Sequence, residues 1–289
     1  MFRIGIIGTE NSHAKKFATL FRDETEFADM KIVAVGGHYP ESNEKICEEF
    51  GIDHVATSPE DMLGKVDAVI ITARDGIYHA DFARPFIEEG IPMFMDKPFT
   101  VDPMEAVDLV REAKKRGVPM VGGSTLKCSY ETMMLADYAH RKRADVKGGT
   151  VAAPIMMDSP YSGFFFYASH LTETSLKIFG YDPKSVTAFR KGNDVTAYVE
   201  YDRYAVTNNF NDNCMSYFGQ VFTKDGIYSR NIEYSLASKV MATDFANMLR
   251  YKIMPESYEE LIYPVFYMNA VKKSYETGGK TVEIEKIEL

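Results

Sequence analysis

Tryptophan is absent from the 289 residues, and cysteine occurs only three times. Cys47, Cys128 and Cys214 are odd in number and far apart in the chain. They form neither a disulfide framework nor a CxxC metal signature, so a reducing cytoplasm is the expected compartment. His13 and His54 have no partners at metal-ligand spacing, and without a clustered Cys, His or Asp set no catalytic metal is expected. Long apolar runs are missing too. None approaches the roughly 20 residues of a membrane-spanning helix, and Met1-Phe2-Arg3 leads straight into a strand-like run rather than a signal peptide. Basic charge is in short supply: 33 Lys and Arg stand against 42 Asp and Glu, a formal charge of -9. Such a field repels polyphosphates, so neither nucleic acid nor an anionic membrane is an expected partner. What is present is ordinary for a folded protein, 45% hydrophobic and 26% charged residues, in a length suited to one or two domains.

Phe2 to Ile7 is a short, β-branched, apolar run that stops at Gly8, and Ser12 to Phe21 reads as a helix. The alternation continues with strand-like pieces at 32–35, 69–71 and 93–95 and helical ones at 41–50 and 78–89. Near-continuous apolar strands separated by helices indicate parallel pairing with both sheet faces covered. Asp102-Pro103-Met104-Glu105 marks a helix start, with an N-cap acceptor, a first-turn proline and a glutamate placed to reach back. Gly117 and Pro119 end that helix, 120–122 reads as a sixth strand, and Gly122-Gly123 is the expected domain boundary. After a helix at 130–143 the pattern changes. Strand-like pieces at 186–189, 197–201, 206–210 and 216–223 follow one another without helices, joined by turns such as Lys224-Asp225-Gly226. The expected fold class is α/β. Residues 1–122 form an N-terminal Rossmann doubly wound parallel sheet, and 123–289 form a C-terminal α/β domain built on an open, mainly antiparallel sheet. Helices at 173–179, 234–251 and 257–276 are expected to cover one face of that second sheet.

In open parallel sheets the ligand lies beyond the carboxyl ends of the strands, and the first strand-turn-helix passage holds phosphates against helix amides. That passage is Gly8-Thr9-Glu10-Asn11-Ser12-His13. The dinucleotide fingerprint GxGxxG needs glycine at 8, 10 and 13, and only Gly8 is kept. The second strand ends in Val35-Gly36-Gly37-His38, without the acidic residue that normally grips the adenosine ribose. Charge therefore does not choose between NAD and NADP; His38 is either a contact for a 2′-phosphate or a solvated loop residue. Lys97 follows an apolar strand at the ligand-bearing edge, where an ammonium polarises a carbonyl or steadies an alkoxide. The alternative is a surface lysine paired to Asp96.

The order of these pieces resembles the Gfo/Idh/MocA oxidoreductases, named for glucose-fructose oxidoreductase and inositol dehydrogenase. The resemblance runs over essentially the whole chain: the Gly8 turn, His79-x-x-x-Ala83, Gly90, Asp96-Lys97-Pro98 for the usual Glu-Lys-Pro, Ser169-His170, Gly180, and the closing Ser274-x-x-Thr277-Gly278-x-Lys280-x-Val282. It implies NAD or NADP as cofactor, a sugar, inositol or related polyol as substrate, and hydride transfer at a CH–OH carbon. Lys97 then contacts cofactor and substrate, and His170 accepts the hydroxyl proton. Asp96, His79 and the segment Thr72-Ala73-Arg74 fall at the cofactor and Glu173 at the substrate; Lys127 either contacts cofactor or substrate or stands exposed and idle, and Tyr161 and Tyr167 are candidate replacement proton-transfer groups on the substrate side. Glu173, one helical turn beyond His170, is placed to orient the imidazole. A homo-oligomer, dimer or tetramer, is expected through the open sheet face.

The departures define the competing reading. Where the family pattern has an aspartate four residues before the histidine, this chain has Phe166, and Ala168 stands at the glycine position. The run Gly163-Phe164-Phe165-Phe166-Tyr167 either stacks on a sugar or packs in the core. With two fingerprint glycines also missing, a non-catalytic ligand-binding protein that keeps the fold without turnover is the alternative, and redox-neutral chemistry on a tightly held cofactor is a third.

Overall fold

In the computed structural model, which describes residues 1–287 and 289, the first alternation becomes β1 (Phe2–Ile7), α1 (Ser12–Asp23), β2 (Met30–Gly36), α2 (Pro40–Phe50), β3 (His54–Val55), β4 (Ala68–Ile71), α3 (His79–Glu88), β5 (Met93–Asp96), α4 (Pro103–Arg116) and β6 (Met120–Gly123). The strands form one sheet in the order β3-β2-β1-β4-β5-β6, every pair parallel. Ile4, Ile6, Val69, Ile70 and Ile71 are fully buried, as strands covered on both faces must be. This is the doubly wound order, which reverses direction between β1 and β4.

Local chemistry sets the helix starts. Asn11 caps α1 by accepting the His13 amide, and Ala14, Phe17, Ala18 and Phe21 then form its buried stripe. Asp102 caps α4, its Oδ1 accepting the amides of Met104 at 2.8 Å and Glu105 at 3.0 Å. The return bond expected from Glu105 is not made among the described residues. Its carboxyl is half-buried beside Asp81, and burial and that like charge push its pKa up.

Beyond β6 come α5 (Tyr130–Arg141), β7 (Val146–Ile155), α6 (Phe164–Phe179), β8 (Ser185–Lys191), β9 (Asp194–Glu200), β10 (Ala205–Asp212), β11 (Tyr217–Thr223), β12 (Gly226–Ile232), α7 (Ala237–Tyr251), α8 (Tyr258–Glu276) and β13 (Val282–Glu283). The second sheet runs β12-β11-β7-β10-β9-β8-β13. Its pairs are antiparallel except β7 with β10. Two compact units result: residues 1–123 with Ser238–Ile262 and Leu289, and Ser124–Ala237 with 263–287.

Residues 238–262, which the sequence pattern puts in the second half, therefore group with the first unit. Phe245 of α7 stacks on Phe21 at 6.3 Å and meets Phe94 edge-on at 6.4 Å. Arg250 adds a forked contact to the Asp29 carboxylate and a bond to the Glu26 carbonyl. In the second unit α5, α6 and α8 supply the helical side of the core, with Leu135, Leu171, Leu176 and Tyr267 against Val151, Val199, Val206 and Phe210 of the sheet.

The central strand β7 escapes a strand reading because it is built from small residues, Gly148, Gly149, Ala152, Ala153 and Pro154. Packing requires them. A Cβ on Gly149 would fall on the Phe179 ring and on the Gln220 carbonyl of the neighbouring strand. Helix α6 begins nine residues before the expected helix at 173, because Phe164 is a core anchor against Phe210 and Tyr275.

Candidate active site

In the first unit the expected cofactor residues gather at the carboxyl edge of the sheet, around the reversal point. Thr72 ties β4 to β1: its amide donates to Ile7 O at 2.7 Å and its hydroxyl to Gly8 O at 3.0 Å. Gly8 sits at φ 95°, where only glycine is comfortable, and lies against the backbone of Ala73. The side chains that replace the fingerprint glycines are tied back into the protein. Thr9 donates to Asn43 at 2.5 Å, and Glu10 accepts the Arg74 amide at 2.8 Å while its carbonyl accepts the Arg74 guanidinium at 2.8 Å. Asn11 caps the helix and donates to Asp96 at 3.2 Å. Ser12, the first helical residue, is exposed. A turn with a glycine at positive φ, lying at the start of a helix with no acid in its first turn, fits a dinucleotide through its backbone amides. The second Glu10 oxygen is buried without a hydrogen-bond partner.

His79 is fully buried and braces the edge from behind. Burial pushes its pKa down, so the ring is neutral, and the shorter contact, Nε2 to Ala73 O at 2.7 Å against Nδ1 to Phe99 O at 3.3 Å, places the proton on Nε2. His38 is exposed at the end of β2, its ring 4.4 Å from that of Tyr78 and 4.9 Å from that of Phe82.

Asp96 and Lys97 are 0% and 4% exposed, and their pairing is not that of a surface ion pair. Asp96 Oδ1 accepts the Lys97 amide at 2.8 Å, and Oδ2 binds His13 Nδ1 at 2.7 Å. His13 was not among the expected site residues; the signal for it was its place at the third fingerprint glycine. Burial alone would raise the Asp96 carboxyl, but His13 and then Lys97 outweigh it and hold the pKa at about 2, below its ordinary 3.8. A carboxyl depressed on folding stabilises the fold above its unfolded pKa and loses that contribution as pH falls through the folded one. About 2 kcal/mol should therefore disappear between about pH 4 and pH 2. Thermal melts across this range are expected to show a steeper acid limb for the wild type than for Asp96→Asn; parallel limbs would mean that the pair does not hold the carboxyl ionised.

In the second unit a buried cluster forms around Ser124, the residue that follows β6. Ser124 Oγ lies 2.7 Å from His170 Nδ1, and its amide donates to Glu173 Oε2 at 2.7 Å. The same carboxylate oxygen is 3.4 Å from Lys127 Nζ, with both side chains about as buried as core residues. His170, Glu173 and Lys127 are thus brought together, and Ser124, which the sequence reading passed over, is the group that holds the imidazole. Tyr167 stands 5.4 Å from the His170 ring and Tyr217 6.3 Å, while Phe166 lies between Tyr161 and Tyr167 at 5.3 Å from each. Burial, then Tyr167 and Tyr234, push the Tyr217 phenol well up, so it stays protonated. Among the described residues no group of three His, Cys, Asp or Glu is placed to hold a metal ion, and no helix is long and apolar enough to cross a membrane.

Residues 2–123 match the model of the GFO_IDH_MocA oxidoreductase family, NAD-binding Rossmann fold. No curated protein matches the chain in sequence. Solved structures share its fold along nearly their whole length. A myo-inositol dehydrogenase from Corynebacterium glutamicum has 15% identity and a TM-score of 0.83, with 99% of this chain and 100% of that one covered. Scyllo-inositol dehydrogenase from Lactobacillus casei with bound NAD(H) and scyllo-inositol has 13% identity and a TM-score of 0.84, with 98% and 99% covered. GenD2 from gentamicin A biosynthesis, in complex with NAD, has 15% identity and a TM-score of 0.85, with 98% and 96% covered. Residues 2–123 thus carry the NAD-binding Rossmann domain of the Gfo/Idh/MocA oxidoreductases.

Proposed function

We propose that the protein is an NAD(P)-dependent dehydrogenase or reductase acting on a CH–OH carbon of a sugar, inositol or related polyol, with Lys97 and His170 as its catalytic residues. One observation carries the reading. In the second unit Ser124 holds the buried His170 ring at 2.7 Å, an imidazole fixed as a proton acceptor requires. A fixed histidine and, in the first unit, a buried lysine are the two groups that carbinol oxidation needs. The cofactor supplies a nicotinamide that accepts or returns the hydride. Lys97, largely withdrawn from water, steadies the substrate oxygen as negative charge develops on it. His170 takes the hydroxyl proton, its ring fixed through Nδ1 by Ser124. Glu173 and Lys127 act one step back, fastening α6 to the 124–128 turn so that the imidazole keeps its orientation. The bound polyol in the Lactobacillus casei structure supports the substrate class.

Phe166 favours the second reading, a binding protein without turnover, because its ring occupies the position of the family aspartate and packs between tyrosines. The two separate in one experiment. Sugars and polyols are screened with NAD and NADP while nicotinamide absorbance is followed. Turnover of at least one, abolished in Lys97→Ala, is expected; tight dinucleotide binding with no turnover across the panel would establish the second reading. A dimer or tetramer is part of the proposal. The middle of the second sheet's open face is uncharged, with Phe189, Tyr198 and Ile227 more than half exposed among Thr196, Thr207, Asn209 and Gln220, and Lys191, Asp194 and Glu200 stand at the strand ends.

A further inference from the structure

The β1–α1 turn departs from the dinucleotide fingerprint at position 13, where the glycine that allows close helix–sheet packing is replaced by an imidazole. The ring does not lie idle. It reaches from the first turn of α1 to the end of β5, where Asp96 Oδ2 binds Nδ1 at 2.7 Å. Asp96 is completely buried and also receives the Asn11 side chain and the Lys97 amide, so the carboxylate that aims the imidazole is itself fixed on three sides. With Nδ1 engaged, Nε2 has no hydrogen-bond partner among the described residues, and the side chain keeps 14% exposure.

Charge gives this nitrogen a task. Within residues 8–13 the sole basic side chain is His13, and the sole acidic one is Glu10, which occupies the second fingerprint position with a buried, unpartnered oxygen. A pyrophosphate laid on the turn meets a carboxylate that the usual glycine-rich sequence does not have, and loses one of its close-approach glycines as well. His13 is the loop's own counter-charge. Direction follows from the sheet order: the adenosine half belongs over β2, on one side of β1, whereas the ring leans toward β5 on the other.

We propose that the imidazolium form of His13, its Nδ1 proton held by Asp96, donates from Nε2 to the phosphate on the nicotinamide side of the bound dinucleotide, taking the place of the missing glycine contacts. The inference rests on the NAD-binding Rossmann domain and not on the substrate class, so the polyol screen and the test below fail independently.

The test is calorimetric titration of the full chain, as wild type, His13→Ala and His13→Gln, with AMP, ADP, ADP-ribose and NADH. Glutamine still donates to Asp96 but has no nitrogen beyond it, which separates a lost phosphate contact from a disturbed loop. Both variants are expected to bind ADP, ADP-ribose and NADH about tenfold more weakly, as the loss of one charge-assisted hydrogen bond implies, with AMP unchanged. A change in the Nε2 NMR resonance of His13 on adding ADP is the accompanying signature. Equal weakening of AMP would mean that the loop itself has moved, and a loss confined to ADP-ribose and NADH would put the imidazole on a ribose hydroxyl. Either result, or unchanged ADP affinity, overturns the proposal.

Discussion

Replacing Lys97 with methionine is expected to lower kcat/KM about 10³-fold while the protein stays folded, since methionine has nearly the length of the lysine stem and removes the charge alone. The side chain is 4% exposed at the carboxyl edge of β5. An ammonium withdrawn from water acts on developing negative charge far more strongly than one in bulk solvent. His170→Ala is expected to cost 10²- to 10⁴-fold, and Ser124→Ala about tenfold, because the second removes only the group that fixes the ring. The double variant Lys97→Met/His170→Ala should lose little more than the worse single variant, as groups that act together in one step do. Steady-state rates on a substrate from the polyol screen decide this. Retention of more than a tenth of the wild-type kcat/KM in Lys97→Met would remove the lysine from the chemistry.

Much of the first unit was legible because buried parallel strands read as continuous apolar runs, as in Ile4 to Ile7 and Val69 to Ile71, and because helix starts such as Asp102-Pro103 carry their own capping chemistry. The second unit hid its central strand. In β7 the packing of Phe179 and the flanking strands demands glycine and alanine, the residues that weaken a strand signal. The destination of α7 was equally hidden: an amphipathic helix shows which face it buries, and nothing in its sequence says that Phe245 will meet Phe21 and Phe94.

The site divides along the same line. Lys97 and His170 are found by their order along the chain, since each stands in a recognisable local pattern. Ser124 and His13 are not. Ser124 holds an imidazole 46 residues away in sequence, and His13 a carboxylate 83 residues away, so the first role exists only once the second unit has folded and the second only once α1 lies beside β5. The loop side chains Thr9, Glu10 and Asn11 were expected at the cofactor, and their hydrogen bonds run into the protein, so the backbone amides, with the His13 imidazole, are what this turn offers a phosphate.

Gly8→Ala should be the most damaging single substitution in the turn. At φ 95° any side chain is strained, and that strain alone costs about 1–2 kcal/mol. Steric overlap costs more. An added Cβ would fall on the backbone nitrogen and Cα of Ala73 and on the carbonyl carbon of Thr72, none of which is the end of a flexible side chain. Those atoms are held in place by the bonds from Thr72 to Ile7 and Gly8, so the methyl can be accommodated only by parting β1 from β4 where the strand order reverses. A loss of more than about 4 kcal/mol is expected, with no NADH binding in whatever folded protein survives. Gly51→Ala is the control. It too has a positive φ, 64°, but its Cβ would meet nothing within 4 Å, so it should show the backbone strain by itself. Chemical denaturation of the two variants side by side measures the difference. Equal losses would show that the Gly8 turn has room to spare, and a turn with room there would not hold a pyrophosphate against the amides of α1.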